Sequence, residues 1–213
     1  MMDNVLQFLP LLLAASVVTV KVSLLALLVS SGLGLVLALL KLSPRRALSY
    51  PAGALVNIIR GLPILIVLFY MYFVLPELGI GLTAFEAGVL GLGIGYAGYQ
   101  AEIFRAGIQA VDQGQVEAAK AIGMKSSMTM RRVVLPQALR ISLPPYANTF
   151  TMILKDSSLV STITVAEMTH AGQLIASSTF QNLTVYTLTA LLYLAMSLPL
   201  LFLVGWLERH LRR

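Results

Sequence analysis

The chain has 213 residues, 58% of them hydrophobic and 11% charged, with a mean hydropathy of +0.85 and a net charge of +6. That composition excludes an ordinary soluble globular domain, and the absence of cysteine excludes a disulfide framework, a thiol nucleophile and thiolate metal ligation. The positive charge does not point to nucleic acid, because the basic residues sit in short loops between apolar spans.

The N-terminus, MMDNVLQFLP, lacks a basic n-region and reads as retained rather than as a cleaved signal peptide. From Val5 to Leu40 only Lys21 is charged, a stretch longer than one bilayer crossing. A first span is expected over about residues 10–40, with its earliest part along the interface or outside. Lys41, Arg45 and Arg46 close it. A second span, about 53–75, carries Arg60 near its start. A third, about 85–107, holds six glycines between Gly88 and Gly107, which permit close helix–helix approach. Within it Gly93 to Gly98 matches G-x-G-x-x-G, but no strand precedes the match, so it is not a dinucleotide loop.

The polar stretch Gly114 to Arg140 interrupts this pattern. Gln115 to Ile122 predicts two helical turns, ended by Gly123, which tolerates the left-handed conformation. Leu135 precedes Pro136 and is therefore biased away from helix, with Pro136 opening a new helix at its first position. The apolar run from Ile141 is short and broken by Pro144 and Pro145. Basic residues at Lys41–Arg46, Arg105–Arg140 and Arg209–Arg213 mark cytoplasmic segments, whereas Asp3 and the Glu77 loop lack Lys or Arg. A last span, about 183–207, must then cross to place Arg212 and Arg213 inside, so 141–161 must supply the return crossing. The expectation is one all-α integral membrane domain, 1–213, with about five spans, the N-terminus outside and the C-terminus cytoplasmic. Thr164 to Phe180 reads as an amphipathic helix or hairpin on the outer side.

No catalytic apparatus is legible. There is no Gly-Lys dipeptide and hence no Walker A loop, no G-x-S-x-G elbow, and the two histidines lack a ligand pattern. Ionisable residues at membrane depth are the informative ones, since facing lipid would cost about 2.5–3.5 kcal/mol each. Arg60, Glu102, Lys155 and Asp156 should therefore face protein or a water-filled cavity. For Arg60 a salt bridge or interfacial anchor competes with a pathway role. For Glu102 structural pairing competes evenly with contact to a solute amine. Lys155 and Asp156, beside Ser157, suit either a gate or an internal ion pair. Asn148, Thr149 and Thr151 give the fourth span a polar side suited to a cavity.

The stretch EAAKAIG (Glu117 to Gly123), followed by VVLP (Val133 to Pro136), resembles the cytoplasmic loop of ABC importer membrane subunits. Arg60 to Phe73, Tyr99 to Val111 and Lys155 to Ser161 resemble the polar-amino-acid branch of those permeases. The likeness spans roughly residues 10–210 and implies a type I, MetI-like permease with a coupling loop at 112–136. It implies that Glu117, Ala118, Ala119, Gly123, Leu135 and Pro136 engage an ATP-binding cassette ATPase dimer, which would bind ATP and magnesium that this chain does not. It further implies a second permease copy or homologous permease, an extracytoplasmic solute-binding protein and a multi-pass place in the bacterial inner membrane. Arg60, Glu102, Asn148, Lys155, Asp156 and Ser157 are the pathway candidates. Glu117 is expected to tie down its own loop or pair with a nearby base. Lys120 and the Met-rich run Met124 to Met130 depart from the commonest form of the loop. Two other readings stand beside a polar amino acid importer. One is an importer of another solute (an opine, a betaine-like compound, cystine). The other is an ion-coupled carrier relaying protons through Glu102 and Asp156.

Overall fold

A computed structural model describes Met2 to Leu211, with side chains from Leu6 onward; Arg212, Arg213 and the side chain of Asp3 lie outside the described part. Helix is the only regular structure among the described residues. Helix α1 (Met2–Lys41) is one continuous helix of 40 residues, at about 1.5 Å per residue longer than a single bilayer crossing needs. Its buried positions, Thr19, Val22, Ser23, Ala26, Ser30, Leu37 and Ala38, recur at helical spacing on one face. Leu24, Leu28, Leu35, Val36 and Leu39 face away and are more than 40% exposed. Such a continuous apolar exterior on a folded chain is the surface of a protein solvated by lipid.

Helix α4 (Ala84–Gln109) is the centre of the fold, in contact with α1, with α2 (Arg46–Gly61), with α3 (Ile64–Phe69) and with α7 (Leu135–Asp156). Its glycines explain how. A Cβ at Gly93 would lie 2.5 Å from Val29 Cγ1, and one at Gly98 would lie 2.8 Å from Arg60 Cγ and 3.2 Å from the Val56 carbonyl oxygen. Without those methyls the helices close to backbone contact. A capping box starts α4: the Thr83 hydroxyl accepts from the Glu86 N–H at 3.2 Å, and the Glu86 carboxylate accepts from the Thr83 N–H at 2.9 Å. Gly93 to Gly98 is helical throughout, so it forms no phosphate loop.

By length and apolarity, Leu6–Lys41 and Asn182–Leu211 each suffice to cross a bilayer alone. The second is α9 (Asn182–Leu211). The expected second span, 53–75, is not one helix. It breaks between Gly61 and Ile64 with a bend of 100° between α2 and the run Ile64–Leu78. The cause is local: Pro63 has no N–H for the helix, and Leu62 before it is held extended at φ −87°, ψ 136°. Helices α4 (26 residues) and α7 (22 residues) are long enough to span, at about 1.5 Å per residue, but less apolar, because protein rather than lipid surrounds α4.

Two further expectations are corrected between α4 and α9. Helix α5 (Gln113–Ala121) and the short α6 (Ser126–Thr129) form as expected, but Leu135 is helical, at φ −60°, ψ −43°. The chain passes from α6 through a π-helical turn, Met130–Val134, straight into α7. The wider turn accommodates the missing N–H and the ring of Pro136 without ending the helix. The helix that holds the expected fourth span accordingly starts upstream of Ile141 and runs unbroken through Pro144 and Pro145 to Asp156, followed by a 3₁₀ stretch, Ser157–Ile163. Helix α8 (Met168–Thr179) fills the expected amphipathic segment.

Candidate functional site

Three clusters hold the residues of interest. The first is the polar interruption. Asp112 caps α5, its carboxylate accepting from the Gln115 N–H at 3.3 Å. At the other end Gly123, at φ +83°, turns the chain. Its N–H donates to the Lys120 carbonyl at 2.9 Å and the Met124 N–H to the Ala119 carbonyl at 3.0 Å, a Schellman ending. Val116 packs on Val111, Val134 and Ala138, and the Gln137 amide donates to Gln115 Oε1 at 2.6 Å. Ala119 is buried, and the short helix is thereby clamped to the ends of α4 and α7.

What α5 leaves outside is Glu117, Ala118, Lys120 and Ala121, with Ile122 at the tip 80% exposed. Glu117 has no hydrogen bond or ion pair among the described residues, contrary to the expectation that it ties down its own loop. Leu135 and Pro136, at the start of α7, are also exposed. The surface is therefore a rigid, small-residue knob with one unsatisfied carboxylate and one projecting isoleucine. Ile122 was not singled out in the sequence; an apolar residue before a helix-ending glycine was the available signal.

The second cluster disposes of the membrane-depth charges. Glu102 accepts from Lys41 across α1 and α4 and from Arg105 on its own helix, the Arg105 Nη2 contact being 2.7 Å. Of the two readings offered for Glu102, structural pairing is the one found. Arg60 makes no salt bridge among the described residues; its guanidinium lies 5.4 Å from the centroid of the Tyr99 ring, a cation–π contact. Asp156 does not pair with Lys155. It accepts from the Tyr96 hydroxyl at 2.7 Å, while Lys155 is exposed. The Ser157 hydroxyl is buried and donates to the Leu154 carbonyl at 2.7 Å. Nor do Asn148, Thr149 and Thr151 share one side: the threonines are buried and donate to the Pro145 and Ala147 carbonyls, at 3.0 and 3.3 Å, and Asn148 alone is exposed. Asn148 and Lys155 instead share an exposed line on α7 with Ile141, Pro145 and Met152, at intervals of four and three residues.

The third cluster was not anticipated. Glu167 is fully buried with no cation paired to it among the described residues. Its carboxylate accepts from the Thr19 hydroxyl (3.1 Å), the Tyr193 hydroxyl (2.8 Å) and the His170 N–H (2.9 Å). Thr19 in turn accepts from the Met168 N–H at 3.1 Å, and Thr169 lies 3.0 Å from the Tyr193 hydroxyl. One acidic side chain thus caps α8 and joins it to α1 and α9. In the sequence, Glu167 sits in a Val-Ala-Glu-Met-Thr context with no side-chain partner nearby, because the two side chains it accepts from lie 26 and 148 residues away.

Comparison with known proteins accords with this architecture. Residues 30–213 match the family described as binding-protein-dependent transport system inner membrane component. A probable amino-acid ABC transporter permease protein, y4tG of Sinorhizobium fredii, is 38% identical over 193 residues, covering 91% of this chain and 84% of its relative. A crystal structure of an amino acid ABC transporter with histidines superposes with a TM-score of 0.91 at 38% identity, over 97% of this chain and 96% of that one. The permease fold recurs in an inward-facing MetNI methionine ABC transporter, with a TM-score of 0.81 at 21% identity over 95% and 97% of the two chains. Taken with a lipid-facing all-helical fold and a knob between α4 and α7, these matches establish that the chain belongs to the binding-protein-dependent transport system inner membrane component family, as a membrane-embedded ABC permease subunit that is not itself an enzyme.

Proposed function

We propose that the chain is the pathway-forming subunit of an ATP-driven importer of polar amino acids in a bacterial inner membrane. The observation that carries the reading is the α5 knob. Its exit is set by the left-handed Gly123, its base is clamped to α4 and α7, and Glu117 and Ile122 are presented without partners of their own. A rigid lever of this kind transmits a partner's motion into two membrane helices. Residues Glu117, Ala118, Ala119, Gly123, Leu135 and Pro136 form or support it, and the partner is an ATPase dimer that binds ATP and magnesium.

The chain buries too little around its exposed α7 line to enclose a pathway alone, so a second permease copy or a homologue completes it. Asn148 and Lys155 on that line face the pathway. Arg60, Glu102, Asp156 and Ser157 hold its walls. ATP binding favours the outward-open state, which a solute-binding protein loads from outside, and the free energy is the differential stability of the two states. Orientation follows the basic loops, with the C-terminus cytoplasmic. Amino acid as cargo rests on the names of the relatives.

Gentle extraction, capture through the C-terminus and mass spectrometry test this reading. A stoichiometric ATP-binding subunit, with ATP-dependent uptake of a polar amino acid in proteoliposomes, is the expected result. Uptake that needs no ATPase and collapses with the proton gradient would replace it by the ion-coupled carrier, and ATP-dependent uptake of an opine or cystine instead would move the cargo.

A further inference from the structure

Pro144 and Pro145 stand inside α7 and carry no N–H. The carbonyls of Arg140 and Ile141, one turn earlier, therefore lack their intrahelical donors. Residues i and i+4 share a face, so both open carbonyls emerge on the face made by these four residues. All four line one groove of about 470 Å³, closed on its other side by Glu208 and Leu211 of α9. The groove holds a guanidinium and a carboxylate that do not pair with each other: neither Arg140 nor Glu208 has a partner among the described residues. It thus combines one cation, one anion and two carbonyl acceptors that the helix cannot use.

We propose that this groove binds a small zwitterion bearing a primary ammonium and an anionic group a few bonds apart. The ammonium donates to the Arg140 and Ile141 carbonyls and to Glu208, three acceptors suited to its three N–H bonds. The anionic group meets Arg140, whose planar fork matches a carboxylate or phosphate. The apolar flanks Ile141 and Leu211 shield the contacts from competing water. A quaternary ammonium is rejected, because it has no N–H to donate and would leave the carbonyls unpaired. A free amino acid and the head of an ethanolamine phospholipid both satisfy this chemistry. The chain leading into and out of the groove is basic, with Arg131 and Arg132 preceding α7 and Arg209 following Glu208. The proposal does not depend on which solute is transported, nor on the ATPase.

The test is calorimetric titration of the full-length chain in phosphatidylcholine nanodiscs. L-glutamine and O-phosphoethanolamine serve as probes, and phosphocholine as the quaternary control. At least one primary-ammonium probe is expected to bind at least tenfold more tightly than phosphocholine. Glu208→Gln and Arg140→Gln, both at exposed positions, should each weaken that binding tenfold or more while leaving the elution profile unchanged. Tighter phosphoethanolamine, with phosphatidylethanolamine retained in native mass spectrometry, identifies a lipid site; tighter glutamine identifies a free amino acid site. Binding that persists in both variants lies elsewhere and overturns the proposal, as does the absence of binding or equal binding of phosphocholine. Uptake plays no part in the readout, so a failed importer reading would leave this result standing.

Discussion

The half-buried Tyr193 hydroxyl on α9 and the fully buried Glu167 carboxylate at the start of α8 meet at 2.8 Å, and the same carboxylate engages the buried Thr19 of α1. Hydrogen bonds to a charged group contribute roughly 1.5–3 kcal/mol each, and more is lost when buried donors are left without an acceptor. Glu167→Ala removes the acceptor of three donors at once and should lower the thermal midpoint in detergent by roughly 10 °C or more. Glu167→Gln keeps one oxygen that can accept from Tyr193 and should fall between. A midpoint unchanged in the alanine variant would mean that α8 is not held through this carboxylate.

Gly123 separates backbone strain from steric fit. Its φ is +83°, yet nothing lies within 4 Å of where a Cβ would sit. A side chain there meets open space but carries the left-handed penalty, roughly 1–2 kcal/mol. Gly123→Leu should therefore leave the fold and membrane insertion intact while re-aiming the knob. The expected signature is ATPase activity that no longer drives uptake. Gly123→Asn, which tolerates the left-handed region, should restore much of it. Uptake in the leucine variant equal to wild type would remove the knob from the coupling path.

Legibility in the sequence followed distance along the chain. The ending of α5 at Gly123 was readable, since one residue's backbone tolerance decides it. Two Leu-Pro steps, identical as dipeptides, resolve differently. Leu62–Pro63 breaks the chain by 100°, whereas Leu135–Pro136 passes through on a π-helical turn anchored by Val134 and Gln137. Tertiary packing made that difference, and a local bias cannot register it. The same holds for charge. Adjacent Lys155 and Asp156 suggested each other, but on a helix neighbours in sequence point about 100° apart. Tyr96, 60 residues away, takes the carboxylate instead. Glu167 was invisible for the same reason.

The glycine face of α4 predicts a graded response. At Gly98 an added Cβ meets Arg60 Cγ, a flexible side chain, but also the Val56 carbonyl oxygen at 3.2 Å. Gly98→Ala should cost about 1–3 kcal/mol through overpacking and displace Arg60 from the Tyr99 ring. At Gly32, on α1 and outside that face, nothing lies within 4 Å, so Gly32→Ala should be neutral or slightly stabilising, alanine being the better helix former by roughly 1 kcal/mol. Thermal midpoints of the two variants, measured side by side, check the contrast; equal losses would mean that crowding at the α2–α4 contact is not what the glycine relieves.

Gln100 offers the opposite sign. It is fully buried on α4 against Gly34 of α1, and both ends of its amide lack a hydrogen-bond partner among the described residues. Each unsatisfied buried group costs about 1–3 kcal/mol, so an apolar replacement of similar size should be more stable than the native residue. Gln100→Leu is expected to raise the thermal midpoint by several degrees. Proteins retain such a cost where another state uses the group. Uptake by the more stable variant should therefore fall, with ATP binding unaffected. A rise in stability with full uptake would reduce Gln100 to an unoptimised core position, and a fall in stability would show that the amide already has partners in this state.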